Sequence, residues 1–348
     1  MIQKLIALLD SSSAVNIPSV PQFQRALDRE RSRADRNGSV MCLIKVDLTQ
    51  ANVSESKAIY EAAGFLRGRL RITDDFGMLS RKSVGIVLPE TNRAGAWVVA
   101  DSTSSTLSPR IGKISFEIFE YPNSDLPDDS EPVSHDESHH AAGSMTHFFM
   151  RATPTWKRAL DIFASGIGLI LLSPMFLVVG LAIKLSSPGP IFFCQQRTGA
   201  GNKPFTMYKF RSMVPAAESM RDNVAHLNER DGPAFKIKND PRVTPIGSFI
   251  RKTNLDEFPQ LLNVFKGDMS LVGPRPLPCA ESDACRGWHR RRLDVVPGMT
   301  CIWQTSNREG LTFEQWVRMD IAYAKSVSLL HDLWILFKTP IVFLRGDQ

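Results

Sequence analysis

Cysteine is scarce in this chain, and charge is missing from one stretch where its absence matters. The five cysteines, Cys42, Cys194, Cys279, Cys285 and Cys301, form no Cys-x-x-Cys pair and have no histidine at metal-ligand spacing. That argues against a thiolate zinc site or a disulfide framework, and predicts reduced thiols in a cytosolic setting. The opening residues Met1 to Asp10 hold too short an apolar run for a secretory leader and no cleavage site, so none is expected. Long apolar runs are nearly absent, which excludes a polytopic membrane protein. The one exception is 162–183, which carries no charge and matches the roughly 20 apolar residues that a membrane-crossing helix needs.

Ser173-Pro174 sits in the middle of that stretch. A proline there leaves the carbonyl of Ile170 without its N–H donor and costs about 3 kcal/mol. The Ser173 hydroxyl is placed to bond a freed carbonyl. Basic residues flank both ends, Lys157 and Arg158 before and Lys184 after. The positive-inside tendency asks for both on the cytosolic side. A single crossing satisfies one end, whereas a re-entrant hairpin over about 160–184 satisfies both. A buried core helix fits poorly, since the apolar residues run all round. The expectation is helix–break–helix, with a full span left open.

Charge is uneven. Residues 1–150 carry 16 Lys and Arg against 19 Asp and Glu, a net of −3, and 151–348 carry 26 against 17, a net of +9. The basic half also holds the apolar stretch. Its expected partners are anionic lipid head groups or phosphorylated substrates, and no nucleic acid.

Residues 1–121 alternate helices and strands, which makes an α/β or α+β domain of small size, taken here as α/β. A helix runs from Pro21 to Asn37-Gly38, with Phe23, Leu27 and Ala34 on one face. Strands are predicted at 40–48, 83–89 and 113–121, and helices at 55–70 and 95–106. The run from Phe23 to Gly38, followed by Cys42-Leu-Ile-Lys-Val-Asp47, resembles the start of a GGDEF (diguanylate cyclase) domain, and Val84 to Ala96 resembles the strand and helix after that family's signature. The signature itself is replaced by Ser80-Arg-Lys-Ser83, and of the metal positions only Asp47 matches. The resemblance implies a non-catalytic regulatory or dimerising domain, and makes it the candidate surface for a homodimer. Residues 122–155 are rich in Asp, Ser, Pro and His and read as a flexible linker, in which His135, His139 and His140 lack any fixed geometry.

Beyond the apolar stretch, two predicted strands deliver Arg197, then Lys209 and Arg211. Next comes Arg251, and then Leu255-Asp-Glu-Phe-Pro-Gln-Leu261. Pro259 is tolerated in a first helical turn, so Asp256 and Glu257 lie at a helix N-terminus, where unpaired N–H groups favour anions. An ionised carboxylate there suits a nucleophile, although two adjacent acids are also a common helix start. Arg275 is fixed between Pro274 and Pro276, which suits bidentate phosphate binding. Asp268 is a further acid able to help hold a divalent cation. The tail over 323–344 has the pattern of an interfacial amphipathic helix or of a core helix, broken by Pro340.

From about Lys157 to Gly346 the chain is similar to the bacterial sugar transferase family, the monotopic polyprenyl-phosphate phosphoglycosyl transferases. The matching motifs include Lys157-Arg158…Asp161, Ser173-Pro174, Gln196-Arg197-Thr-Gly199, Tyr208-Lys-Phe-Arg-Ser-Met213, Leu255 to Leu261, Lys266-Gly-Asp-Met-Ser270, Gly273-Pro-Arg-Pro276 and Pro297-Gly-Met-Thr300. The resemblance implies an α+β membrane-associated domain over 156–348, seated by its re-entrant helix on the cytosolic face of the bacterial inner membrane. It implies Asp256 as nucleophile with Glu257 in a catalytic dyad, and phosphate binding by Arg275, Arg197, Lys209, Arg211 and Arg251. Asp256, Glu257 and Asp268 would hold Mg²⁺. A phospho-sugar would pass from a UDP-sugar to Asp256 with release of UMP, then to polyprenyl (undecaprenyl) phosphate, as the first membrane step of an exopolysaccharide or glycoconjugate pathway. Cys301 stands where the family often has Gly, and Thr305 to Glu309 replaces a Ser-Gly-Arg-Asn run, so the sugar stays open. Two rival readings are a membrane-anchored nucleotide-sensing signalling protein and a non-enzymatic membrane organiser.

Overall fold

The structure, a computed structural model, describes residues 17–122, 143–229, 231–235, 237, 239–285, 287–306 and 310–345. The histidines at 135, 139 and 140, and most of the stretch read as a linker, lie outside the described residues. By its internal contacts the chain divides into two units, Met1–Met145 and Thr146–Gln348.

In the first unit, helix α1 (Val20–Asn37) starts at Ser19, whose backbone N–H donates to the Gln22 side chain at 2.8 Å, and stops at Gly38, whose φ of 66° lies in the left-handed region. Strand β1 (Met41–Asp47) is central. It pairs antiparallel with β3 (Ser83–Pro89) and β4 (Ser115–Tyr121), and β3 pairs with β2 (Asp75–Ser80). The two-residue β5 (Gly143–Ser144) adds in parallel beside β4, giving the order β2-β3-β1-β4-β5. The sheet is therefore mainly antiparallel, and of the two classes that the alternation left open the unit is α+β, not α/β, because β2 and β3 form a hairpin and β1 runs antiparallel to both of its neighbours. Alternate residues Cys42, Ile44 and Val46 pack with α2 (Glu55–Arg69) and α3 (Arg93–Ile111) through Ala58, Ala62, Leu66, Ala100 and Leu107. β2 escapes prediction because Gly77 weakens its pattern. Gly77 and Gly85 pair across the hairpin, and the Phe23 ring fills the slot that their missing side chains leave. Ser80-Arg-Lys-Ser83 is the hairpin turn, closed by a 2.7 Å contact between the two serine hydroxyls. The Asp47 carboxylate accepts the Thr49 N–H at 2.8 Å.

Met145–Phe149, which begins on the last residue of the first unit, is a 3-10 turn in which Met145 and Phe149 are buried, so the stretch read as linker ends in described structure. Helix α4 (Thr155–Ser186) follows. It is helical through Ser173-Pro174, and the expected break in the helix is not there. The reason is local: the Ser173 hydroxyl donates to the Ile170 carbonyl at 2.8 Å, so the carbonyl that Pro174 deprives of its N–H is satisfied without opening the helix. Strands β6 (Phe192–Thr198) and β7 (Pro204–Phe210) form a hairpin that turns at Gly201, with φ 64°. Helix α5 (Pro245–Lys252) is capped by Thr244, whose side chain accepts the Gly247 N–H at 3.0 Å. Asn254, left-handed at φ 55°, turns the chain into a 3-10 helix, Leu255–Gln260, continued by α6 (Leu261–Lys266) and stopped at Gly267. Strand β8 (Ser270–Val272) pairs in parallel with β9 (Gly298–Thr300). Between them lie α7 (Cys279–Asp283) and a 3-10 stretch, Gly287–Asp294. Helices α8 (Phe313–Lys325) and α9 (Leu329–Arg345) close the unit. α9 continues past Pro340, contrary to expectation. Ile335 is buried against Val272 and Tyr323, and Thr339 meets Thr300 at 2.9 Å, so packing on β8 and β9 holds the helix beside its proline.

Both ends of α4 are tied to this one unit. At its start, Lys157 donates to the Val272 carbonyl at 2.9 Å, and Asp161 accepts from the Leu271 N–H at 2.9 Å. Near its end, Ile183 is buried with Phe210 and Ile250. Between the ends the helix is apolar and bare, with Ile170 74%, Leu171 72% and Leu177 75% exposed.

Candidate active site

The site is built where β7 lies against the 3-10 helix Leu255–Gln260. Asp256 and Glu257 occupy the first turn of that helix, as Pro259 predicts. The two adjacent acids have different surroundings. Glu257 Oε1 accepts from Lys209 Nζ at 2.8 Å and from Arg275 at 2.5 Å, and its Oε2 faces Arg275 at 3.4 Å. Lys209 comes from β7 and Arg275 from the Gly-Pro-Arg-Pro loop that follows β8. Asp256 is 8% exposed, and its carboxylate makes no hydrogen bond or ion pair among the described residues.

Titration follows this asymmetry. Burial opposes ionisation of Glu257, but Arg275 and Lys209 outweigh it and hold the carboxyl well below the usual range. Burial pushes Asp256 up and the Glu257 charge adds to the rise, while Lys209, Arg251 and Arg275 pull it back. Burial lowers the Lys209 ammonium despite Glu257. It also brings Arg197 down to about 10, with the nearby Arg275 guanidinium adding to the fall. Arg251 is likewise lowered by burial, and the charge of Asp256 offsets that most.

Five of the expected cations are thus accounted for, and four gather here. Lys209 and Arg275 touch Glu257. Arg197 holds the Pro276 carbonyl at 2.8 Å and lies in the field of Arg275. Arg251 Nε donates to the Ser212 hydroxyl at 2.8 Å. Arg211 is the exception. It binds the Pro188 carbonyl at 2.7 Å and the Ser187 carbonyl and hydroxyl at 2.8 Å each, fastening the turn after α4. Lys209 and Arg211 would share a face only in a continuing strand, and β7 ends at Phe210.

The expected metal set does not assemble. Asp268 accepts from Asn263 at 3.3 Å, and Glu257 is engaged twice by cations. Among the described residues no three His, Cys, Asp or Glu side chains converge on one point. The donors do not fit a divalent ion held by these three acids, and the positive charge at the site is carried by Lys209, Arg275, Arg197 and Arg251. Two buried groups behind Arg275, Arg292 and Asp320, escaped the sequence reading. The only signal for them is Asp320 four residues after Trp316 on the apolar face of α8.

A family model described as bacterial sugar transferase matches residues 152–346, more than half of the chain. The chain belongs to the bacterial sugar transferase family. An undecaprenyl-phosphate galactose phosphotransferase of Salmonella typhimurium is 42% identical over 57% of this chain and 42% of the relative. The UDP-glucose:undecaprenyl-phosphate glucose-1-phosphate transferase of Escherichia coli is 39% identical over 53% and 39%. The exopolysaccharide production protein ExoY of Rhizobium meliloti is 38% identical over 55% of this chain and 87% of its own length. The chain thus spans about two fifths of the first two relatives. Among solved structures, a DGC protein from Thermotoga maritima aligns over 31% of this chain and 85% of its own, at 18% identity and a TM-score of 0.27, a likeness too slight to carry weight.

Proposed function

We propose that this bacterial sugar transferase moves a phospho-sugar from a UDP-sugar to polyprenyl phosphate, with Asp256 as the nucleophile. The observation that carries this is the contrast within the acid pair: Glu257 is neutralised by Lys209 and Arg275, while Asp256 beside it makes no ion pair among the described residues. A buried carboxylate that makes no ion pair among the described residues, within the field of Lys209, Arg251 and Arg275, suits attack on an anionic phosphorus. An Asp256 carboxylate oxygen bonds to the β-phosphorus, and the bond from that phosphorus to the bridging oxygen breaks. UMP leaves with the electron pair. A phosphate oxygen of the lipid then attacks the same phosphorus and the bond to Asp256 breaks, leaving a lipid diphosphosugar. Lys209 and Arg275 fix Glu257 and face the phosphates, and Arg197 and Arg251 add positive charge that offsets repulsion between two anionic reactants. Of the three acids that the resemblance gives to Mg²⁺, Glu257 is engaged by Lys209 and Arg275 and no three acids converge among the described residues, so no step is assigned to the metal.

The names of the Salmonella and Escherichia relatives support undecaprenyl phosphate as acceptor, and that of ExoY supports a role in exopolysaccharide synthesis. The seat is the cytosolic face of the inner membrane. Support comes from α4: a straight helix of its length spans about 48 Å, yet both of its ends bind the same unit. The bare apolar faces of Phe249, Leu262 and Phe265 extend the surface that α4 offers to lipid. The signal read by residues 1–121, and their pairing into a homodimer, belong to this proposal only as a regulatory role. The test is UMP release by the purified chain with a panel of UDP-sugars and undecaprenyl phosphate. Release with one sugar and its loss in Asp256→Asn are expected. Undiminished release in that variant rejects the nucleophile.

A further inference from the structure

The loop that presents Arg275 has an unusual problem of support. Pro274 and Pro276 flank it, so it has few N–H groups with which to bond itself. Its three successive carbonyls are instead taken from outside, each by a different element. The Pro274 carbonyl accepts the Gly298 N–H of β9 at 2.9 Å. The Pro276 carbonyl accepts Arg197 of β6 at 2.8 Å. The Arg275 carbonyl accepts a short bond from Nη2 of Arg292. That last donor is itself held. Arg292, 3% exposed, gives its Nε and Nη2 to Oδ2 of Asp320 at 3.0 and 2.8 Å. The same oxygen accepts the Trp316 indole N–H at 3.0 Å, and the Arg292 guanidinium lies 5.5 Å from the Trp316 ring centre. Asp320 is 1% exposed.

We infer that Asp320 and Arg292 are positioning residues that act through Arg275, fixing the main chain from which its guanidinium reaches Glu257 and the substrate phosphates. A buried guanidinium needs a countercharge, and Asp320 supplies it. The planar fork lets Arg292 face a carboxylate and a carbonyl at once, which a lysine cannot do in the same geometry. Neither residue touches Asp256 or Glu257. Their influence on the chemistry therefore runs along one line, Asp320 to Arg292 to the Arg275 backbone. Burial raises Asp320 to about 6 against the pull of Arg292, which agrees with a dry pair closed off from solvent.

This inference rests on the transferase reading and is tested by a double-mutant cycle on UMP release. Arg292→Lys alone lowers kcat about tenfold per folded molecule, and Asp320→Asn does the same, although losing the buried countercharge also lowers the melting temperature. In an Arg275→Ala background, which is already slow, neither change costs more than about twofold, because the group they position is gone. Asp320→Glu, which keeps the charge, recovers part of the rate. A wild-type chain that releases no UMP from any UDP-sugar overturns the transferase reading and this inference with it. An active wild type whose losses multiply fully in the Arg275→Ala background overturns the inference alone. So does a loss in Arg292→Lys that only follows the unfolded fraction.

Discussion

Two buried lysine–carboxylate clusters in the second unit look alike in composition and differ in completeness. At the base of α4, Lys157 meets Asp332 at 2.5 Å, the Tyr323 hydroxyl at 3.1 Å and the Val272 carbonyl, while Tyr323 donates to the other oxygen of Asp332 at 2.7 Å. One cation faces one anion, and every group has a partner. In the acid pair, Lys209 and Arg275 share Glu257, and Asp256 makes no such bond among the described residues. The first cluster ties the membrane helix to α9 and β8. The second keeps an acid and positive charge in reserve. Buried polar groups are normally satisfied, so the unpaired acid sets the second cluster apart as the proposed site of chemistry.

The largest expected effect breaks the comparison from the open side. Asp256→Asn should lower UMP release about a thousandfold or more, with the melting temperature unchanged, as measured by turnover and calorimetry side by side. From the closed side, Asp332→Asn leaves Lys157 buried without its countercharge. It should cost about 3–5 kcal/mol in denaturant unfolding, while the molecules that stay folded keep their kcat. If Asp332→Asn instead lowers kcat in folded protein, the two clusters are not separate in role.

The pH profile sharpens the contrast. Burial raises Asp256 above the ordinary aspartate range of about 3.9, and the nucleophile must be ionised. Activity should therefore fall as pH drops through a value above that range. Lys209→Met removes a cation that favours the charged form and should shift the acid limb of kcat/KM further up. A limb that moves down contradicts the assignment. The smallest effect concerns α4: Ser173→Ala leaves the Ile170 carbonyl without its hydroxyl donor and should cost about 0.5–1.5 kcal/mol, with little change in turnover.

Much of this was legible in the sequence, because short-range chemistry decides it. Asn37-Gly38 ends α1, Pro259 sets the turn that carries the acid pair, and Ser173 takes the carbonyl that Pro174 frees. Long-range pairing was not legible. Nothing near Glu257 shows that Lys209 and Arg275, 48 and 18 residues away, converge on it rather than on Asp256. Arg211 lies apart from the other four cations because a period of two holds only while the strand lasts. Asp268, exposed, accepts from Asn263 inside α6, a contact five residues back that its spacing from Asp256 does not show. β2 was invisible because the Gly77–Gly85 pair, which makes room for Phe23, removes the side chains that signal a strand.

The most direct measurement is the mass of the peptide that contains Asp256 after the chain meets its UDP-sugar in the absence of polyprenyl phosphate. The account predicts an added phospho-sugar on that peptide, with one UMP released per adduct, and no adduct in Asp256→Asn. An unmodified peptide, with UMP appearing only once the lipid phosphate is added, would contradict it.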